Sequence, residues 1–521
     1  MRIGPLYPPG WSGALPLSAA SEAALPRPLL GAEERKPVSL YPIMVGLVFF
    51  FMAIELPYRS IHIPQPIMIA LGILSFFTIV VLAFENFFLV MLLLVSYLPF
   101  SSLLPGDFGG FLTAFNLTNI LTVVVLVGWL ARRAFRDEPF YRPTRADALL
   151  GLFCALASVS LIRSSIEGHT NEHILFTLKR YLTPFLYFYI FANNVRRKKE
   201  IEYILVTTAF IAFVAAVMGL KESYMDIGPF GDLDSMRMRG ITQQSNDTAA
   251  FFSYYAPFLL VPFLHQARRK VFWLLPGAAF LCFWAATRTF SRGGVIAFVA
   301  AMLVTIAISH RKTALALTLA AVLLVTQFSQ YLPESLVGRF NLLVRAAPSP
   351  GRPFDAKRLD PSAARRLEIW KRALPHVGRN PVFGIGYGTF GGVMRGDAHN
   401  GFILICTEMG IPALLIYLLV LWRFALGARY LYRHARSPLL RWLGHGFLAC
   451  TLAVVVANQF GSRLNSQELS SLFWILGGIT LMVEREMRRG NPEFASRAPA
   501  PAPARRVSGE VPPVPAEAGL T

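Results

Sequence analysis

Charge is scarce in this sequence. Only 15% of the 521 residues are Asp, Glu, Lys or Arg, while 54% are hydrophobic, against about 25% charged residues in ordinary soluble domains. That shortage excludes a water-soluble fold with a charged shell and points to a chain that meets lipid over much of its surface. Cysteine is scarce too. The four present (Cys154, Cys282, Cys406 and Cys450) all fall inside apolar blocks without metal-ligand spacing, which argues against a disulfide framework or a zinc site and leaves four buried small hydrophobes. The first 40 residues lack a basic start running into an apolar core and a small-residue cleavage site, so no cleaved signal peptide is expected. The carboxyl-terminal stretch from Asn491 is rich in Pro and Ala, a composition that cannot bury a core and predicts disorder.

What the chain does have is repetition of apolar blocks near 20 residues long, each sufficient to span a hydrocarbon core of roughly 30 Å. They predict an all-α polytopic membrane helix bundle of about 14 transmembrane helices, centred in 40–57, 66–84, 86–104, 113–131, 146–162, 174–193, 201–220, 248–265, 271–287, 293–309, 313–331, 401–422, 440–458 and 468–484. The implied organisation is a disordered cytoplasmic segment over 1–39, eleven spans over 40–331, a long periplasmic loop over 332–399 before the twelfth span, three spans over 400–486 and a disordered cytoplasmic tail over 487–521.

The net charge of +20 would suggest nucleic acid in a soluble protein. Here the excess lies in short loops: Arg35-Lys36, Arg132-Arg133-Arg136, Arg196 to Lys199, Arg268 to Lys270, Arg311-Lys312, Arg423 to Arg441 and Arg485-Arg488-Arg489. All fall on one side if the spans alternate, as the positive-inside bias requires, so membrane lipids rather than nucleic acid are the expected partners. Both termini are then cytoplasmic, and the span number is even. The loop over 332–399 is basic on the opposite side. Long loops cross largely regardless of charge, and such a surface suits either an anionic partner or solvent alone.

Within that loop, Asp360-Pro361 is a helix start, and Leu367, Trp370 and Leu374 recur at helical spacing on one expected face. Arg365, Arg366, Lys371 and Arg372 lie largely off it, the pattern of a short helix on a membrane surface. Gly384, Gly386 and Gly388 follow without the strand–turn–helix context of a nucleotide site, so they predict a tight turn that folds the loop back over the membrane.

Candidate chemistry gathers on the same outward side. Asn400 is a plausible cap for the helix starting near Gly401, which places His399 just before a helix amino terminus, where the dipole disfavours an imidazolium. A neutral imidazole can take a proton as a general base; an interfacial histidine that only hydrogen-bonds loop backbone is the competing reading. Arg288 closes one helix, where a cation suits the dipole. Arg292 opens the next, where a cation is misplaced unless an anion neutralises it. With Ser291 before it and Gly293-Gly294 leaving room for a ligand at the backbone, this loop reads as a phosphate or diphosphate site, with an arginine snorkelling to headgroups as its rival. A third outward loop carries Arg237, Arg239 and Gly240, then an amide- and hydroxyl-rich string that ends in a cap-like Asn246-Asp247. Glu408, about 13 Å beyond His399 along a helix, is costly there unless paired or protonated, and suits a structural partner or a catalytic carboxylate. Glu55 and Glu85 stand near span ends.

Several motifs carry a resemblance. Arg366-Leu-Glu-Ile-Trp370-Lys-Arg-Ala, Asn380-Pro-Val-Phe-Gly384-Ile-Gly386-Tyr-Gly388, His399-Asn400-Gly-Phe-Ile-Leu and Thr407-Glu408-Met-Gly410-Ile-Pro, with Ser291-Arg292-Gly293 and Arg239-Gly240 upstream, resemble the O-antigen ligase and polysaccharide polymerase superfamily of bacterial inner-membrane glycosyltransferases. The resemblance covers roughly Arg237 to Tyr417; the first seven spans match only in hydropathy. It implies a metal-independent, cofactor-free transferase of the inner membrane, active at the periplasmic face, moving or polymerising a glycan from undecaprenyl diphosphate. The acceptor would be a lipid A–core sugar, a second lipid-linked glycan or a protein hydroxyl. His399 maps onto the family's essential histidine and Arg292 onto a diphosphate-binding arginine; Arg239 takes a similar role, with Arg237 as competitor. Arg288, Arg365 and Arg366 complete the expected donor-binding set, and Asn400, Glu408 and Ser291 the supporting one. The alternatives are a lipid-linked sugar transporter or flippase, and a non-catalytic scaffold for polysaccharide assembly.

Overall fold

The computed structural model describes residues 73, 77, 79–103, 117–135, 139–167, 171–225, 237–327, 361–463 and 466–494. Among them the chain is helical, with no strand. In order the helices are α1 (Phe87–Tyr97), α2 (Leu117–Phe135), α3 (Asp147–Ile166), α4 (Asn171–Asn194), α5 (Lys198–Met225), α6 (Ser245–Tyr255), α7 (Pro257–Gln266), α8 (Leu274–Arg288), α9 (Arg292–Ser309) and α10 (Arg311–Gln327), then α11 (Pro361–Arg379), α12 (Phe390–Met394), α13 (Gly401–His434), α14 (Pro438–Asn458) and α15 (Gln467–Arg488). Eight helical segments among the described residues are long and apolar enough to cross a membrane: Leu117–Phe135, Asp147–Ile166, Lys198–Tyr224, Ser245–Gln266, Lys270–Arg288, Arg292–Ser309, Gly401–His434 and Pro438–Asn458. This is a multi-pass membrane protein. The expected total of about 14 spans counted further blocks: 40–57 and most of 66–84 lie outside the described residues, while α1, α4, α10 and α15 stand where spans were expected but fall below that length or hydropathy. Of the cysteines, Cys282 and Cys450 are buried, but Cys154 and Cys406 are only half-buried.

Aromatic packing binds the later helices into one core. Phe424 of α13 lies 5.8 Å from Phe188 of α4, 5.7 Å from Phe447 of α14 and 5.5 Å from Trp474 of α15, in the range where ring pairs attract beyond simple burial.

Polar groups collect at two opposite ends. At one, Arg133 donates to Pro139 and Asn193 carbonyls, the Lys198 amide reaches Glu493 and Arg485 reaches Arg142. Arg423 and Arg488 both pair with Glu484 there. At the other, Ser102 meets Ile241, Arg163 meets Gly384, Arg237 meets Thr289 and Asn400 meets Gln459. The described basic clusters of the short loops therefore share one end, and His399 stands at the other.

The feature that shapes the second end is a break in α13. Gly410 takes φ 88 and ψ 172 inside an otherwise helical run, and Pro412 has no amide hydrogen. Two carbonyls lose their helical donors: that of Thr407, because the Ile411 amide turns to the Pro381 carbonyl instead, and that of Glu408, because position 412 is proline. The glycine segment supplies replacements. Ile385 N–H donates to the Thr407 carbonyl at 2.9 Å and Gly386 N–H to the Glu408 carbonyl at 3.1 Å, joined there by the Ser160 hydroxyl at 2.6 Å; Ile411 N–H closes the set on Pro381 at 2.8 Å. Gly384, Gly386 and Gly388 all have positive φ, as the sharp path requires.

This corrects two expectations. The glycine turn does not fold back over the membrane surface: it docks beside Gly410, about 14 Å along the helix from Gly401, because only there are unpaired carbonyls waiting for its amides. Nor is α11, which begins at Pro361 as expected, a free surface helix with Leu374 on its apolar face. Its buried residues are Ile369 and Ala373, which pack with Ile385, Phe390, Met394 and Ala398, and Leu374 is 59% exposed. Asp360 and residues 332–360 of the expected loop lie outside the described residues.

A Cβ at Gly410 would sit 2.2 Å from the Val382 carbonyl oxygen, on a backbone that L-residues avoid. Gly410→Ala should lower stability by at least about 1–3 kcal/mol from strain alone. Gly151→Ala, where a Cβ would meet nothing, should be neutral or slightly stabilising. Thermal unfolding of both variants in detergent checks the contrast.

Candidate functional site

His399 sits at the mouth of α13, and three neighbours hold it. Asn400 caps the helix: its side-chain oxygen accepts from Phe402 and Ile403 amides at 2.9 and 3.1 Å, and its Nδ2 donates to the backbone carbonyl and side-chain oxygen of Gln459. Trp370 of α11 donates its indole N–H to the Ala398 carbonyl at 2.7 Å. Asp397 pairs with the imidazole, Nδ1 to Oδ2 at 3.0 Å, leaving the ring 36% exposed. Burial pushes the Asp397 carboxyl up, but hydrogen bonds from the His399 side chain and backbone outweigh it, and the group lies below the usual carboxylate range. An ionised Asp397 accepts a hydrogen bond from Nδ1 and so fixes the orientation of the ring, which leaves the proton-transfer role to Nε2.

The arginines divide into holders and reachers. Arg237 is a holder: Nε donates to the Thr289 carbonyl and a terminal nitrogen to Asn246, both at 3.1 Å. Arg239 is a reacher. Its backbone and that of Gly240 are fastened by the Glu222 carboxylate at 2.9 Å each, while its side chain is exposed. Arg288 donates to the Ser223 hydroxyl at 2.7 Å and lies over the rings of Tyr224 and Phe290, so it is partly committed to packing rather than to helix carbonyls. Arg292 is the first residue of α9 and half-buried, and Ser291 caps that helix by accepting from the Gly294 amide at 3.3 Å. Gly293 and Gly294 do not leave room for a ligand. Cβ atoms there would meet Phe460 at 2.3 Å and Ala249 at 2.2 Å, so these glycines serve close packing against neighbouring segments.

These segments are knitted together. Met238 N–H donates to the Arg288 carbonyl, which with Arg237 joins the loop at 237–244 to the one at 289–291. The loop after α14 joins both to the histidine, because Phe460 packs on Gly293 while Gln459 holds Asn400. From the same loop Arg463, almost wholly buried, pairs with Asp247 at 3.3 Å and donates to the Ala457 carbonyl. Asp247 and Asn246 are therefore tie points within the first turn of α6, whose cap position is Gln244, not the caps expected. Among the described residues, all four non-glycine positions with positive φ (Gln243, Phe290, Arg395 and His399) lie in or just before these loops. Strained backbone of this kind persists where surrounding structure holds it, and it concentrates at functional sites.

The remaining expected residues are placed less centrally. On α11, Arg365 is exposed and Arg366 half-buried; Trp370 reaches the histidine's own loop by a hydrogen bond. Glu408 is buried and accepts from the Phe390 amide at 3.0 Å, a contact that fastens the loop to α13. Glu85 is exposed at the opposite end, and Glu55 lies outside the described residues. No group of three His, Cys, Asp or Glu side chains capable of holding a metal occurs among the described residues.

Sequence reasoning missed Asp397, Arg163 and Arg463. An aspartate two residues before a candidate base was a visible signal. Arg163 stands in the last turn of α3 and Arg463 in the loop after α14, at the end of the bundle that also holds Arg239 and Arg292. Arg163 is the main fastener of the glycine turn: its terminal nitrogens donate to the Gly384 carbonyl at 2.6 Å and the Asn380 side chain at 2.9 Å, and Nε pairs with Glu167 at 2.8 Å.

Residues 277–418 match the family model described as O-antigen ligase. The match bears out the resemblance to the O-antigen ligase and polymerase superfamily and supports a glycan-transfer role of ligase or polymerase type. It spans Arg288, Arg292, Glu408 and His399. A search of the curated proteins finds no match.

Arg163→Gln should release the turn without touching His399. Backbone amides of 384–387 should exchange hydrogen at least about tenfold faster, the loss expected when roughly 1.5 kcal/mol of charge-assisted bonding goes, while Arg163→Lys restores only part of the protection because it cannot bridge both acceptors. Hydrogen-exchange mass spectrometry reads the difference.

Proposed function

We propose that this protein transfers or polymerises a glycan from undecaprenyl diphosphate onto an acceptor hydroxyl at the periplasmic face of the bacterial inner membrane. The observation that carries this reading is the His399–Asp397 pair, 3.0 Å apart, at a helix mouth inside the O-antigen ligase match.

In the proposed step Nε2 of His399 takes the proton from the acceptor hydroxyl as its oxygen attacks the anomeric carbon. The bond from that carbon to the diphosphate oxygen breaks, and the lipid diphosphate leaves with the electron pair. Asp397 stabilises the imidazolium that forms. The leaving diphosphate gains charge, and Arg239 and Arg292 stabilise it with Arg288 beside them. Arg365 and Arg366 on α11 attract the donor headgroup. The acceptor can be a lipid A–core sugar, a second lipid-linked glycan or a protein hydroxyl; the chemistry at His399 is the same for each.

The broken helix α13 is the feature that would favour a transporter, since such folds bind substrate at unwound backbone near mid-membrane. Here the carbonyls freed at the break are taken by Ile385, Gly386 and Ser160, so the break is an anchor for the loop and holds no vacant ligand position. A scaffold would not need a carboxylate-oriented histidine in strained backbone.

His399→Ala should abolish polymer or capped lipopolysaccharide in cells that still make the protein; normal product would overturn the assignment. Asp397→Asn tests the pair by its pH dependence. Its lowered carboxyl keeps Asp397 ionised at neutral pH, and that contribution is lost as pH falls through the lowered value. Asp397→Asn should therefore lower the rate at neutral pH about 10- to 100-fold and change the acid side of the rate–pH profile, where the wild type loses this carboxylate. A variant with an unchanged profile would show that Asp397 acts on the fold alone.

A further inference from the structure

The end of the bundle away from His399 holds a cavity of about 300 Å³ whose walls include Arg132, Arg133, Arg196, Arg197, Glu85 and Glu200. Its position follows from the helix directions. Helix α2 starts beside Tyr97, where Thr118 reaches the Tyr97 hydroxyl, and the neighbouring Ser102 touches Ile241 of the arginine–glycine loop. From there α2 rises about 1.5 Å per residue, so Arg132 lies roughly 20 Å away from the His399 end. The cavity is unrelated to the glycan-transfer reading.

We propose that this cavity binds the headgroup phosphate of an anionic phospholipid. Four guanidinium groups from two stretches of chain face two carboxylates, and one carboxylate is already committed: an oxygen of Glu200 accepts from the Arg196 and Arg197 amides at 2.7 and 3.0 Å. Arg133 frames the wall through the Pro139 and Asn193 carbonyls. Arg132 is held over the Phe87 ring, 5.1 Å from its centroid, at the first turn of α1. That turn carries no acidic side chain, so its positive dipole end adds to the field of the cavity. A phosphodiester fits a volume of this size and is the anion a bilayer supplies at high local concentration.

The rim distinguishes a lipid from a soluble phosphate. Phe84 is 83% exposed and Phe135, one turn beyond Arg132, is 88% exposed, with Val127 and Leu130 exposed on the turns of α2 before Arg132. In a membrane protein such a face lies against acyl chains, so a headgroup in the cavity would have its own chains alongside. A second cavity at this end, of about 360 Å³ and lined by Arg145, Arg485, Arg488 and Glu484, carries no such inference. Glu484 already pairs with Arg423 and Arg488 and lies 3.9 Å from Arg145, so the protein supplies that anion itself.

The test uses the purified full chain in detergent, with lipid occupancy read by native mass spectrometry and stability by thermal unfolding. Phosphatidylglycerol, phosphatidylcholine and glycerol 3-phosphate are added separately. Phosphatidylglycerol should bind and raise the unfolding temperature above the phosphatidylcholine sample, with glycerol 3-phosphate without effect at equal concentration. Arg132→Gln with Arg196→Gln should weaken phosphatidylglycerol binding by about fivefold per arginine removed. Should that double variant fail to fold, Arg197→Gln, altered at an exposed side chain, should weaken it about fivefold by itself. Equal effects of the two phospholipids, or full phosphatidylglycerol binding by the folded variants, would overturn the proposal. A full effect of glycerol 3-phosphate would overturn the lipid assignment in favour of a soluble phosphate.

Discussion

The candidate site depends on how one membrane helix satisfies its own backbone. Gly410 and Pro412 strip helical donors from the Thr407 and Glu408 carbonyls, and an unpaired backbone group in hydrocarbon costs several kcal/mol. The debt is met by amides of the 384–386 turn and by the Ser160 hydroxyl. Because the partners come from outside the helix, the loop must enter beside α13 at a fixed depth and leave at a fixed angle. Arg163 then clamps the turn from α3. Everything between the turn and the helix mouth, including the short helix α12 and Asp397, inherits its position from that anchorage.

The histidine's surroundings follow the same logic at a second fixed point. Asn400 caps α13 and is itself held by Gln459, while the Trp370 indole holds the Ala398 carbonyl. With both flanking residues pinned, His399 can keep φ 49, a conformation that a free loop would relax. The next loop along, after α14, passes from Gln459 through Phe460 to Arg463. Its contacts on Asn400, Gly293 and Asp247 tie the starts of α13, α9 and α6. Three helix amino termini, each with a positive dipole end, are thereby set at one end of the bundle, an arrangement whose field favours an anion.

Much of this was legible before any coordinates. Apolar blocks of span length located the eight described helices long enough to cross a membrane, the bias of Lys and Arg sorted the loops into two sets, and Asn400 read correctly as a cap because capping is a local property of side-chain and backbone spacing. Less legible were contacts between residues far apart in the chain. The role of Gly293 and Gly294 could not be separated by sequence into room for a ligand or room for Phe460 and Ala249, since both demands remove the same Cβ. The apolar face of α11 was misplaced because Leu374 fits a helical stripe as well as Ile369 does, and only the partner surface decides. Nor does the sequence tell that Arg237 has acceptors within reach while the Arg239 side chain is exposed.

Glu408 shows how such long-range demands can imitate a catalytic signature. A carboxylate about 13 Å along a membrane helix from the candidate base invites a chemical role, because burying it has a cost. Its Oε1 instead accepts the Phe390 amide at 3.0 Å, and its main-chain carbonyl accepts two more donors from the turn and from Ser160. The same residue thus fastens both ends of the glycine segment to the break in α13. Asp397 presents the reverse case: a half-exposed carboxylate in an unassuming Gly-Asp-Ala-His run, well short of the burial of Glu408, stands 3.0 Å from the imidazole. Depth in the membrane marks a residue that holds the loop, and the candidate pair stands where the chain returns to the helix mouth.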